Sequence, residues 1–126
     1  MGGKSSQRKG RAAELELVRI LQGHGYPVEP GRAQSYGEEP DLSGLPGIHI
    51  EVKRRENVNL SAALVQARRD ADRFGGLPAV FHRRNREGWR VTMELPDWLE
   101  MYRSYHPAEQ RQGVENAQKC AHKKGP

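Results

Sequence analysis

Apolar side chains first recur at helical spacing between residues 7 and 22, where Glu14, Leu17, Val18 and Leu21 fall at i, i+3, i+4 and i+7. Ser5 or Ser6 is placed to cap this helix after a polar, mobile start, and Gly23, Gly25 and Pro27 stop it. Tyr26 to Ala33 reads as a short strand that Pro27 and Pro30 confine to an edge or a bulge. Gln34 to Glu39 reads as a polar loop. Pro40 holds Glu39 extended, so Asp41-Leu42 opens a second strand and Leu45-Pro46-Gly47 turns the chain. Ile48 to Arg54 then alternates with a period of two, sending Ile48, Ile50 and Val52 to one face and His49, Glu51 and Lys53 to the other. Helical spacing returns over Ser61 to Phe74 through Leu64, Ala67, Ala71 and Phe74, and ends at Gly75-Gly76. Leu77–His82 and Trp89–Leu95 are expected strands about a turn at Asn85–Gly88, and Pro96 sits in the first turn of a last helix running to about Tyr105. The predicted order is α-βββ-α-ββ-α, an α/β domain over residues 1–105 with a central mixed five-stranded sheet flanked by helices. Residues 106–126 are polar and read as a disordered tail.

Composition narrows the function classes. A chain of 126 residues supports one core, and 35% hydrophobic against 29% charged residues, with a net charge of +5, describes a basic, water-compatible surface suited to nucleic acid or another polyanion. No apolar run approaches the roughly 20 residues of a spanning helix, and the start, MGGKSSQRKGR, lacks the apolar segment of a signal peptide. Cys120 is alone, and the histidines show no zinc spacing. A cytoplasmic location is the expectation.

The chemistry centres on Asp41 and on Glu51 and Lys53. Both acids lie on neighbouring strands of a hairpin-like turn, where two carboxylates can share a hard divalent cation beside an ammonium group. The competing account is a solvated strand face. Glu14 is a carboxylate on the apolar stripe of the first helix, costly unless paired, hydrogen-bonded or metal-bound, or at the rim and hydrated. Arg11, Glu16, Arg19 and Gln22 form the opposite, solvated face.

Three acids so placed are similar to those of the PD-(D/E)XK nuclease superfamily. More closely, RKGRAAELELVRILQGHGY, PDL, IHIEVK, ADRFGGLPAVF and GWRV, through most of residues 7–92, resemble the archaeal-type Holliday junction resolvases. The resemblance implies a restriction-endonuclease-like fold and metal-dependent hydrolysis of DNA phosphodiesters, on branched DNA and by a homodimer. Carried over by position, it makes Glu14, Asp41, Glu51 and Lys53 the catalytic set. Asp41 and Glu51 would bind Mg²⁺ or Mn²⁺, with the Val52 carbonyl as a further ligand and Glu14 acting through a water or a second ion. Lys53 would orient the attacking water or stabilise charge on the phosphate, with Gln66 as an accessory. Arg8, Lys9, Arg11, Arg54 and Arg55 would contact phosphates, as would Ser35, which stands farther from the aspartate than the family's serine or threonine; Glu38 and Glu39 occupy that place. His49 reads as filling the polar strand face, and Arg83, Arg84 and Arg86 as a solvated turn. The open alternatives are a general or repair nuclease of this fold, a catalytically silent DNA-binding domain, and an interaction protein whose EVK sequence is accidental.

Overall fold

The computed structural model describes residues 2–31 and 40–107, with side chains of the first helix from residue 10 onward. Arg8 and Lys9 as side chains, Ser35 with its loop, and the tail from residue 108 lie outside the described residues. The elements are α1 (Gly2–Gly23), β1 (Glu29–Pro30), β2 (Leu42–Ser43), β3 (Ile48–Arg54), α2 (Leu60–Phe74), β4 (Leu77–Arg83), β5 (Arg90–Thr92) and α3 (Leu95–Tyr105). Their order is the one the periodicity predicts. Helix α1 begins at Gly2, ahead of the expected serine cap; Lys4, Gln7, Arg8 and Lys9 are all favourable helix formers. The described residues fall into two units, one ending at Glu94 and one beginning at Leu95.

The sheet of the first unit has the order β1-β2-β3-β4-β5. Strands β3 and β4 pair in parallel, from Ile48↔Leu77 to Arg54↔Arg83, and every other pair is antiparallel. A parallel pair needs a crossover, and α2 supplies it. Asn59 caps α2 by accepting from the Ala62 amide (3.0 Å), and the Gly75 amide closes the far end on the Ala71 carbonyl (2.6 Å). Gly76 follows at φ +92°, and a Cβ there would sit 2.8 Å from the His49 nitrogen. That close passage at the start of β3 explains the second glycine of the RFGG segment. Strand β1 occupies the sheet edge and spans only Glu29–Pro30, since Pro30 donates nothing to a ladder; residues 32–33 of the expected strand lie outside the described residues.

Helix α1 covers one face of the sheet. Ala13, Leu17 and Val18 pack with Val28, Leu42, Ile50, Val52, Ala79 and Phe81. On the other face Ala63 and Ala67 of α2 pack with Val80. Strand β3 is therefore buried on both sides, and the competing account of a solvated strand face does not hold: His49 and Glu51 are each only 3% exposed. Phe81 is buried and Trp89 packs against the α1 core, so these groups are used within the chain.

On the face of α1 opposite the stripe Arg19 and Gln22 are exposed as expected, but Glu16 is not merely solvated. Glu16 receives Arg83 Nε and Nη2 at 2.9 and 3.0 Å and the Trp89 indole N–H at 2.8 Å. Arg54 Nη1 lies 4.0 Å away. Arg83 is thus a fastening for α1 and no part of a solvated turn. The Arg83 hydrogen bond, first among the causes, holds the Glu16 carboxyl below its ordinary range. Its contribution is present above the ordinary glutamate range and is lost as pH falls through the lowered value. Glu16→Ala should cost about 1–2 kcal/mol in a urea titration at pH 7, because it leaves Arg83 with only the Arg84 carbonyl and the Trp89 indole N–H without its acceptor. Glu16→Gln should cost less, since it keeps an acceptor for Trp89.

In the second unit, α3 stacks Trp98 on Tyr102 one turn later, with ring centroids 5.0 Å apart. Leu95, Trp98, Leu99, Met101 and Tyr105 are exposed. No helix among the described residues is long and apolar enough to cross a membrane.

Candidate active site

Leu42 pairs with Ile50 in antiparallel register, and both belong to the α1 face. One step out in that register, Asp41 stands opposite Glu51, whose side chain alternation sends to the face covered by α2. Asp41 Oδ2 accepts from the Val52 amide at 3.4 Å. A strand residue's N–H and C=O leave on the same side, so the Val52 carbonyl also lies along this edge of β3. Lys53 Nζ lies 3.6 Å from Glu51 Oε1 and donates to Gln66 Oε1 at 3.3 Å. The helix that crosses over thus brings Gln66 onto the lysine.

The electrostatics are those of a crowded acid cluster. Burial, then the neighbouring Glu51 charge, push the Asp41 carboxyl up to about 6, against the opposing Val52 hydrogen bond and Lys53. Glu14 is raised as well, first by burial and second by Asp41, with Arg11 pulling the other way. Arg11 Nη1 lies 3.4 Å from Glu14 Oε2 and donates to the Gly31 carbonyl at 2.7 Å. Arg11 is therefore engaged inside the chain and not on a face opposite Glu14. Of the other expected phosphate contacts, Arg54 neighbours Glu16 and Arg55 is exposed.

Glu14, Asp41, Glu51 and Lys53 are thus within one electrostatic neighbourhood. Among the described residues, the group whose ligating atoms all come within 4.8 Å of one another is a different one: His49, Glu51 and Asp70. Asp70 was not legible as a site residue from the strand pattern. Its signal was the i, i+4 spacing from Gln66, which places both on the turn of α2 that faces β3.

The donor set fits a divalent cation. It consists of oxygen ligands, and Asp41 is raised by burial first and by Glu51 repulsion second, so a bound positive charge would relieve a cost that the fold carries by itself.

An open mixed sheet with helices on its faces and this acid–lysine constellation on adjoining strands is the restriction-endonuclease-like class. Within that class, the chain is similar in structure to a Holliday junction resolvase from the archaeal hyperthermophile Archaeoglobus fulgidus, with a TM-score of 0.52 and 25% sequence identity. The match covers 68% of this chain and 72% of that one. The resemblance to the archaeal-type resolvases holds in three dimensions as well as in the motifs that carry it. No family model matches the sequence, and no curated protein does.

Proposed function

We propose that this protein is a metal-dependent endonuclease that hydrolyses DNA phosphodiesters and selects branched DNA, acting as a homodimer. The observation that carries the reading is the Asp41–Glu51–Lys53 group on β2 and β3, in a fold shared with a Holliday junction resolvase. Asp41 and Glu51, with the Val52 carbonyl, would hold Mg²⁺ or Mn²⁺, which lowers the pKa of a bound water and neutralises charge on the scissile phosphate. Lys53, steadied by Gln66, offers an ammonium to the water or to the phosphate oxygens. Glu14 adds negative charge from α1, held by Arg11. Arg55 and the arginines after β4, Arg84 and Arg86, are exposed cations that can position a phosphate backbone without reading its sequence.

Resolving a four-way junction takes two cuts related by symmetry, whereas one chain offers one such group. A two-fold dimer supplies the second. The exposed Trp98, Leu99 and Met101 of α3 favour association, since apolar groups of that size gain by burial.

The test is a gel assay of a four-way junction against a linear duplex of the same sequences, with Mg²⁺ or with chelator. Paired, symmetric nicks in the junction alone, dependent on Mg²⁺, are the expected result. Equal cutting of both substrates would leave a general nuclease of this fold. Binding without any cutting would indicate a silent DNA-binding domain.

A further inference from the structure

His49 presents a problem that the proposed chemistry does not use. Its ring is buried against α2, 6.3 Å from the Phe74 ring and nearly parallel to it. Its Nε2 is the buried side-chain nitrogen or oxygen that has no hydrogen-bond partner among the described residues. Buried polar atoms are almost always satisfied, and an orphan points to an unseen water or ion. The atom is aimed at Glu51 Oε2, 3.7 Å away, too far for a hydrogen bond but close to the separation of two donors on one metal. Asp70 reaches the same point from α2, and the three ligating atoms lie within 4.8 Å of one another.

We infer that His49, Glu51 and Asp70 form a second divalent-metal site, selective for a transition ion over Mg²⁺, which shares Glu51 with the group around Asp41. One imidazole and two carboxylates make a mixed nitrogen and oxygen set. Oxygen-only sets suit Mg²⁺, whereas an imidazole shifts preference toward Mn²⁺, Co²⁺ and Zn²⁺. Three protein ligands also leave room for a solvent ligand, and Asp70, the least buried of the three, marks the entry side. Glu51 carries two oxygens, Oε1 3.6 Å from Lys53 Nζ and Oε2 3.7 Å from His49 Nε2, so a single carboxylate can serve both positions. The inference extends the metal set of the proposed nuclease, but it stands on His49 and Asp70 and does not require that DNA be cut.

The test uses the full chain and Mn²⁺ as the probe, read by pulsed electron paramagnetic resonance for nitrogen coupled to the ion. Coupling from an imidazole nitrogen is expected in the wild type and in Asp41→Asn, and its loss in His49→Gln. Asp70→Asn, a change at a partly exposed helix position, should keep the nitrogen signal and weaken Mn²⁺ binding by about tenfold or more. This variant decides the matter if His49→Gln fails to fold. No nitrogen coupling in the wild type, coupling that survives His49→Gln, or unchanged affinity in Asp70→Asn would overturn the inference. Failure of junction cleavage with the nitrogen signal intact would instead count against the nuclease reading alone.

Discussion

Asp41→Asn should abolish cleavage and at the same time stabilise the metal-free protein. The activity loss is expected to be about 10³-fold or more, because the change removes a ligand charge from an ion expected to supply several kcal/mol to the transition state. The stability gain comes from the same charge. With its carboxyl raised from 3.8 to about 6 by burial and by Glu51, Asp41 binds a proton more readily folded than unfolded. Its favourable contribution is therefore complete below pH 4 and is lost as pH rises through about 6. At pH 7 the ionised group costs the fold about 1–3 kcal/mol, and asparagine, which still accepts from the Val52 amide, recovers that amount. Thermal melts in chelator at pH 7 and pH 4 check the sign: the variant should melt higher at pH 7, with the gap closing at pH 4. Added Mn²⁺ should raise the wild type and narrow the gap from the other side. Cleavage by the wild type should likewise fall below about pH 6, as protonation of Asp41 competes with the ion. A variant no more stable than wild type at pH 7 would mean that the acid pair is not strained.

Lys53→Ala is expected to separate turnover from ion binding. Lys53 lies 3.6 Å from Glu51 but offers no ligand atom as an ammonium, so its loss makes the acid cluster more negative and leaves the cation site at least as attractive. Cleavage should fall by about 10²–10³-fold, the cost of removing one preorganised donor from a developing charge. The Mn²⁺-induced rise in melting temperature should persist. Gln66→Ala, which frees the ammonium without removing it, should cost about tenfold or less. Single-turnover cleavage and melting curves on the same preparations read both effects. Loss of the Mn²⁺ response in Lys53→Ala would assign the lysine to the ion and not to the phosphate.

The strand that holds this group was legible because alternation and a bounding Leu-Pro-Gly turn specify β3 residue by residue. Asp41 opposite Glu51 followed from the hairpin geometry. What periodicity could not show was how many sides of β3 are covered. A buried histidine and glutamate read like a wet face until a helix 15 residues long is laid over them. Glu16 escaped notice for a similar reason. Its partners lie 67 and 73 residues away, and pairings at such separations leave no periodic trace. The large apolar residues divided in the same manner: Phe81 joined the core, while Trp98 remained exposed on α3. The two-residue extent of β1 and β2 reflects prolines and local turns that shorten a ladder without erasing the strand pattern.

The fastening of α1 also implies an order of assembly. The donors that hold Glu16 come from Arg83 at the end of β4 and Trp89 just before β5, with Arg54 at the end of β3 beside them. That socket exists only once the three strands are aligned. The β3–α2–β4 unit closes over a much shorter stretch of chain, and shorter closures come first when their contacts suffice. Helix α1, which carries Glu14, is therefore expected to dock after the β3–α2–β4 unit, an order that pulse-labelling hydrogen exchange during refolding would read. A nascent or partly opened molecule would hold Asp41 beside Glu51 without the third acid, so the complete acid group belongs only to the finished fold.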